Sequence, residues 1–214
     1  MKTKHTFTPP PPKFLVAILF SATAFLMSGC ADSPTEVTGA STQDTARQES
    51  EISGFRDQLW GASPADVESA VIVSDMEKGI DYDTGNESGY YMISLSSVDV
   101  GGHSAAAAYV FQDNALSFGV YQLSIDNNVY PDLFEKYSDK YGNPAAQSED
   151  SGWGSCAVWV DPSRNYICLS DFMDSILYVS AESPYTEQLA DTLSQYQDID
   201  LGSILGQAGN TSGV

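Results

Sequence analysis

Val67, Ala70 and Val71 recur at helical spacing behind Ser63-Pro64-Ala65-Asp66. That segment offers a capping serine, a proline suited to the first helical position and an acid three residues after the cap. A first helix is predicted there, with Trp60 packing back against it. After a polar, glycine-containing loop the pattern changes to runs rich in β-branched and aromatic residues: Tyr90 to Leu95, Ala105 to Phe111 and Leu116 to Leu123. Gly101-Gly102 and Gln112-Asp113-Asn114 punctuate these runs as turns between strands do. The order then repeats. Leu133, Tyr137 and Tyr141 fall at i, i+4 and i+8 in a second helix predicted over Pro131 to Tyr141. Gly142 supplies its stop and Pro144 lies just beyond. Three further strands are predicted at Trp153–Val160, Tyr166–Ser170 and Ile176–Ala181. Leu189 and Leu193 mark the inward face of a third helix from Pro184 to about Tyr196.

Short connections between the strands imply antiparallel pairing. The pattern therefore predicts an α+β fold in which helix-then-three-strands occurs twice, the helices cover one face of an antiparallel sheet, and a C-terminal helix follows. Most of the tyrosines and tryptophans belong to the core or a sheet face. Trp153 and Trp159 share one strand face by parity, so both point in or both point out. Pointing out, they are the candidate contact patch for a protein or peptide, because aromatic side chains dominate interface hot spots.

The first fifty residues follow another pattern. Lys2, Lys4 and Lys13 make a basic leader, Phe14 to Met27 is almost wholly apolar, and the small residues Ser28-Gly29 stand before Cys30. A basic n-region, an apolar h-region and a small-residue cut site together describe a secretory signal peptide. Leu26-Met27-Ser28-Gly29-Cys30 resembles the lipobox of bacterial lipoproteins, with Met27 where members usually carry leucine. The resemblance implies cleavage before Cys30 and acylation of its thiol, placing the protein on the extracytoplasmic face of a membrane. Alternatives are an uncleaved spanning anchor, for which the apolar run falls short of about 20 residues, and secretion without acylation. Residues 1–29 are thus read as signal peptide and 31–50, rich in Ser, Thr, Asp and Glu, as a flexible tether behind the lipidated cysteine. A single domain is expected over 51–198 and a loosely held tail over 199–214.

A second resemblance runs through the domain. Phe55-Arg56…Leu59-Trp60-Gly61-Ala62-Ser63…Val67 is similar to the opening of small bacterial exported proteins of uncharacterised function. Tyr109-Val110-Phe111 and Lys140-Tyr141-Gly142-Asn143-Pro144 match a later strand and a helix end of the same proteins. This resemblance implies a small α+β domain and no known chemistry.

Charge narrows the partners. The chain carries 29 acidic against nine basic side chains for a net charge of −20, and removing residues 1–29 takes this to −23. Such a surface repels phosphate backbones, so nucleic acid is not an expected partner. Beyond Cys30 the remaining cysteines, Cys156 and Cys168, flank a predicted hairpin turning through Asp161-Pro162-Ser163-Arg164-Asn165. Export favours a disulfide between them; the alternative is two buried thiols. With no histidine near either, a metal site is not expected.

Two motifs imitate chemistry. Gly102-His103-Ser104-Ala105-Ala106 copies part of a nucleophile elbow, but a strand follows it and its histidine adjoins the serine, so a loop between strands is expected. Asp81-Tyr82-Asp83-Thr84-Gly85-Asn86-Glu87 departs from a calcium loop at three places, with Gly85 at the third ligand, Asn86 at the turn glycine and Met92 at the closing glutamate, and reads as a polar loop, the alternative being weak, irregular calcium binding. No cofactor is expected. The combined expectation is a lipid-anchored extracytoplasmic binding or assembly module rather than an enzyme. The competing readings are a cell-envelope hydrolase with an acidic active site and an acidic surface protein with no specific ligand.

Overall fold

The structure, a computed structural model, describes residues 51–87, 90–123, 129–149 and 153–208. The leader, Cys30 and the tether lie outside the described residues.

Ser63 starts helix α1 (Pro64–Ser74) as expected: its Oγ accepts from Asp66 N at 3.3 Å and donates to Asp66 Oδ2 at 2.7 Å. A 3₁₀ turn, Met76–Lys78, ends at Gly79 with φ 78°. The strands β3 (Tyr82–Glu87), β4 (Tyr90–Val100), β5 (His103–Gln112) and β6 (Ala115–Leu123) follow. Helix α2 (Val129–Tyr141) then leads into β7 (Ala146–Ser148), β8 (Cys156–Val160), β9 (Tyr166–Ser170) and β10 (Ser175–Val179). Helices α3 (Tyr185–Gln197) and α4 (Leu201–Ala208) close the described chain.

All eight of these strands form one antiparallel sheet ordered β3-β4-β5-β6-β10-β9-β8-β7. Each repeat is a helix followed by four strands, one more than the sequence pattern predicted, and the last strands of the two repeats, β6 and β10, pair at the centre. The added strands, β3 and β7, lie at the two edges. Edge strands are commonly polar and short, which is how a sheet avoids pairing with strangers, and the sequence Tyr-Asp-Thr-Gly-Asn-Glu has no apolar alternation to reveal it.

One sheet face carries Ile93, Leu95, Ala107, Tyr109, Tyr121, Tyr178, Ile167 and Trp159, all buried together with Val67 and Val71 of α1 and Leu133 and Tyr137 of α2. Between the two helices a small hairpin, β1 (Gly54–Phe55) and β2 (Gln58–Leu59), inserts Phe55. That ring is fully buried 5.1 Å from Tyr109, 4.9 Å from Tyr121 and 5.3 Å from Tyr178. It rests directly on Gly119, where any Cβ would overlap the ring, 2.1 Å from Phe55 Cγ. The residues flanking the hairpin are bonded to both repeats: Ile52 N donates to Asp161 Oδ2 at 3.0 Å, Gly61 N donates to Leu116 O at 2.9 Å, and Leu116 N donates to Ala62 O at 2.9 Å.

The two repeat helices share this face, as expected, and the C-terminal helix takes the other. Tyr185 of α3 lies 4.9 Å from Phe118 and 5.0 Å from Tyr90, and Tyr166 donates to Thr186 Oγ1 at 3.3 Å. Phe118 and Tyr166 alternate with the residues beneath Phe55, so α3 covers the opposite side. Residues 201–208, expected as loose tail, form α4 with Leu201 buried, while 209–214 lie outside the described residues.

Candidate functional site

Gly154 takes a left-handed φ of 88°, which turns the chain out of the extended path before β8 begins at Cys156. Trp153 is thereby lifted off the sheet and remains 52% exposed. Strands β9 and β10 run back to the same end and join through Asp171-Phe172-Met173-Asp174. This tight turn is closed by Asp174 N donating to Asp171 O at 3.2 Å. Helix α3 buries Tyr185, Leu189, Leu193 and Gln197 on one stripe and delivers Tyr196, at the edge of that stripe, to this end. Three rings meet there. Trp153 stands edge-on to Phe172 at 5.7 Å and to Tyr196 at 5.2 Å, and Phe172 stacks on Tyr196 at 5.2 Å and 28°.

Acidic residues lie in the segments that carry the rings. Asp171 Oδ2 lies against Gly154, 3.1 Å from where a Cβ would stand. Asp198 caps α3 two residues after Tyr196, and Asp200 Oδ1 accepts from Ser203 N at 2.9 Å. Burial, then the neighbouring charge of Asp171, raises the pKa of Asp174 above the usual carboxylate range. Helix α3 also ends here without a basic residue in its last turn, so the negative end of its dipole adds to the same field. The set offers π faces, apolar contact and negative charge.

The sequence-derived candidates separate in space. Trp153 and Trp159 do not share a face, which corrects the parity argument: the strand starts three residues later than expected, and Gly154 breaks the alternation. Trp159 is buried against Phe134 and Tyr137 with Nε1 donating to Gly142 O at 3.0 Å, and belongs to the core. Phe172 and Tyr196 were not singled out from sequence, because a turn residue and an off-stripe helix residue carry no periodic signal. Cys156 and Cys168 are brought together, diagonal on β8 and β9 with sulfurs 3.6 Å apart; both are fully buried and both are free thiols here. The adjacent Cys156 thiol, and then burial, raise the Cys168 pKa. Cys30 lies outside the described residues.

The imitation motifs resolve into structure. His103 opens β5 with Nε2 2.6 Å from Asp132 Oδ2, while Ser104 Oγ points to the other face, 3.4 Å from Ser97 Oγ. Lys136 completes that cluster, 2.5 Å from Asp132 and 2.6 Å from Gly101 O. Hydrogen bonds from Lys136 and then His103 lower the Asp132 pKa, and the group is a helix-to-turn clamp. Most of the calcium-like segment, Tyr82 to Glu87, is the edge strand β3, paired antiparallel with β4, rather than a polar loop. Among the described residues no three metal-ligating side chains converge, and no helix is long and apolar enough to cross a membrane.

No family model, curated protein or solved structure matches this chain.

Proposed function

We propose that this chain is a lipid-anchored extracytoplasmic binding module that engages a protein partner through Trp153, Phe172 and Tyr196. The anchor reading rests on the basic leader, the apolar run and the lipobox-like ending at Cys30. Two acyl chains give stable membrane attachment at about 0.8 kcal/mol per buried methylene. A single observation supports the binding reading most: the exposed Trp153 ring with two further rings packed around it, at the sheet end whose turn carries Asp171 and Asp174. A tryptophan left half in water with other rings packed around it is the residue type that anchors interfaces. In the exporting cell Cys156 and Cys168 are proposed to be joined, since their sulfurs already touch.

Crosslinking in native membranes tests this. Wild-type protein is expected to capture a partner that Trp153→Ala loses, with both variants retained in the detergent phase. Cys30→Ala is expected to leave that phase. Capture that is unchanged by Trp153→Ala removes the binding site, and membrane retention that is unchanged by Cys30→Ala removes the lipid anchor.

A further inference from the structure

We propose that the Trp153–Phe172–Tyr196 surface receives a lysine- or arginine-bearing segment of its partner, a deepening that rests on the binding role above. The distribution of charge is the first ground. Residues 142–214 hold ten acidic side chains and a single basic one, Arg164. Arg164 sits in the β8–β9 turn, at the opposite end of those strands from the Asp171–Asp174 turn. The ring cluster therefore lies on the acidic part of an acidic protein, with its own half's cation held away from it.

Electrostatic imbalance at the site is the second ground. Asp75 pairs with Arg56, and Asp132 with Lys136 and His103, whereas no such pair at Asp171, Asp174, Asp198 or Asp200 is seen among the described residues. Asp174 already resists ionisation, partly because Asp171 is beside it. An incoming cation relieves that repulsion, so binding gains where the unbound surface is strained.

The third ground is chemical fit. An indole face is the best aromatic partner for a cation, and a guanidinium also stacks flat on it while its N–H groups reach a carboxylate. Asp171, lying against Gly154 beside Trp153, stands where such a group would be paired. Long aliphatic stems of Arg or Lys cover the remaining ring surface. A neutral apolar segment would gain from the rings but would leave the carboxylates uncompensated.

The test uses detergent-solubilised full-length protein and a fluorescent twelve-residue peptide of repeating Gly, Ser and Arg, with a Glu-for-Arg peptide as control. Anisotropy is read at about 50 mM and about 300 mM salt, which separates screened from contact attraction. The Arg peptide is expected to bind and to weaken as salt rises. Trp153→Ala should weaken it about tenfold, and Asp171→Asn a few-fold. Glu135→Gln, an exposed charge on α2, should change it less than about twofold. Equal binding of the Arg peptide to Trp153→Ala, or equal binding of the Glu peptide, overturns the proposal. So does displacement of the native partner by tetramethylammonium or a chitin oligomer but not by the Arg peptide. If Trp153→Ala loses the native partner yet no basic peptide binds, the cationic partner is refuted and the binding role stands. Matching urea midpoints for the variants exclude unfolding as the cause.

Discussion

Replacing Gly119 with alanine should damage this protein, and removing Phe55 should repair the damage. The Gly119 backbone lies under the Phe55 ring so closely that a methyl group would overlap ring carbons. The ring cannot slide aside, because it is fully buried among Tyr109, Tyr121 and Tyr178. Overpacking of a tight core costs roughly 1–3 kcal/mol, and the confinement by three rings puts Gly119→Ala near the top, at about 3 kcal/mol. Phe55→Ala leaves a cavity and costs about 3–5 kcal/mol. In the double variant the new methyl enters that cavity and meets no ring. The sum of the two costs is then not reached; a coupling of about 3 kcal/mol in the favourable direction is expected. Urea unfolding gives each value, provided the slope is unchanged between variants. Should Gly119→Ala alone fail to fold, recovery of a cooperative transition in the double variant reads the same sign. Costs that add within about 0.5 kcal/mol would refute the claim that Phe55 rests on Gly119.

Further outcomes concern charge and thiols. Asp75 is 2% exposed and bonds Arg56 at 2.8 Å, so Asp75→Ala should cost about 3–5 kcal/mol by stranding the guanidinium, seen as a lowered urea midpoint. Asp132 has a lowered folded pKa, so its contribution is present above the unfolded value near 4 and is lost as pH falls through the folded value. Asp132→Asn should therefore flatten the acid limb of a melting-temperature profile; an unchanged limb removes the clamp. Asp174 runs the other way: its folded pKa is raised, so ionisation works against folding and stability rises as pH falls through that value. Asp174→Asn, at φ 46° where asparagine is tolerated, should raise the melting temperature at pH 7 and change little in acid. Exported protein unfolded without reductant should show no free thiol from Cys156 and Cys168; two free groups would dismiss the bridge.

Sequence periodicity captured the elements that bury a stripe. Helix α1 begins at the predicted cap because Ser63, Pro64 and Asp66 act locally. Tyr166–Ser170 matches β9 residue for residue. The elements it missed lack such signals: β3 and β7 are polar edges, and α4 is spaced by glycines that read as loose chain. Helix α3 was expected, but not the face it covers, since every residue of β9 and β10 is buried and gives no alternation to distinguish two covered sides. The site was half legible. Trp153 was singled out, yet its pairing with Trp159 failed on one left-handed glycine, and its true neighbours come from a turn and a helix end that only tertiary folding brings near.

The hairpin that carries Phe55 has a mechanical consequence. Anything tugging on the polypeptide ahead of Ile52 pulls on Asp161 in the second repeat, on Leu116 in the first, and on an aromatic wedge seated where the halves join. Load enters along the seam and is shared at once, so the domain must yield as a whole rather than unravel from a margin.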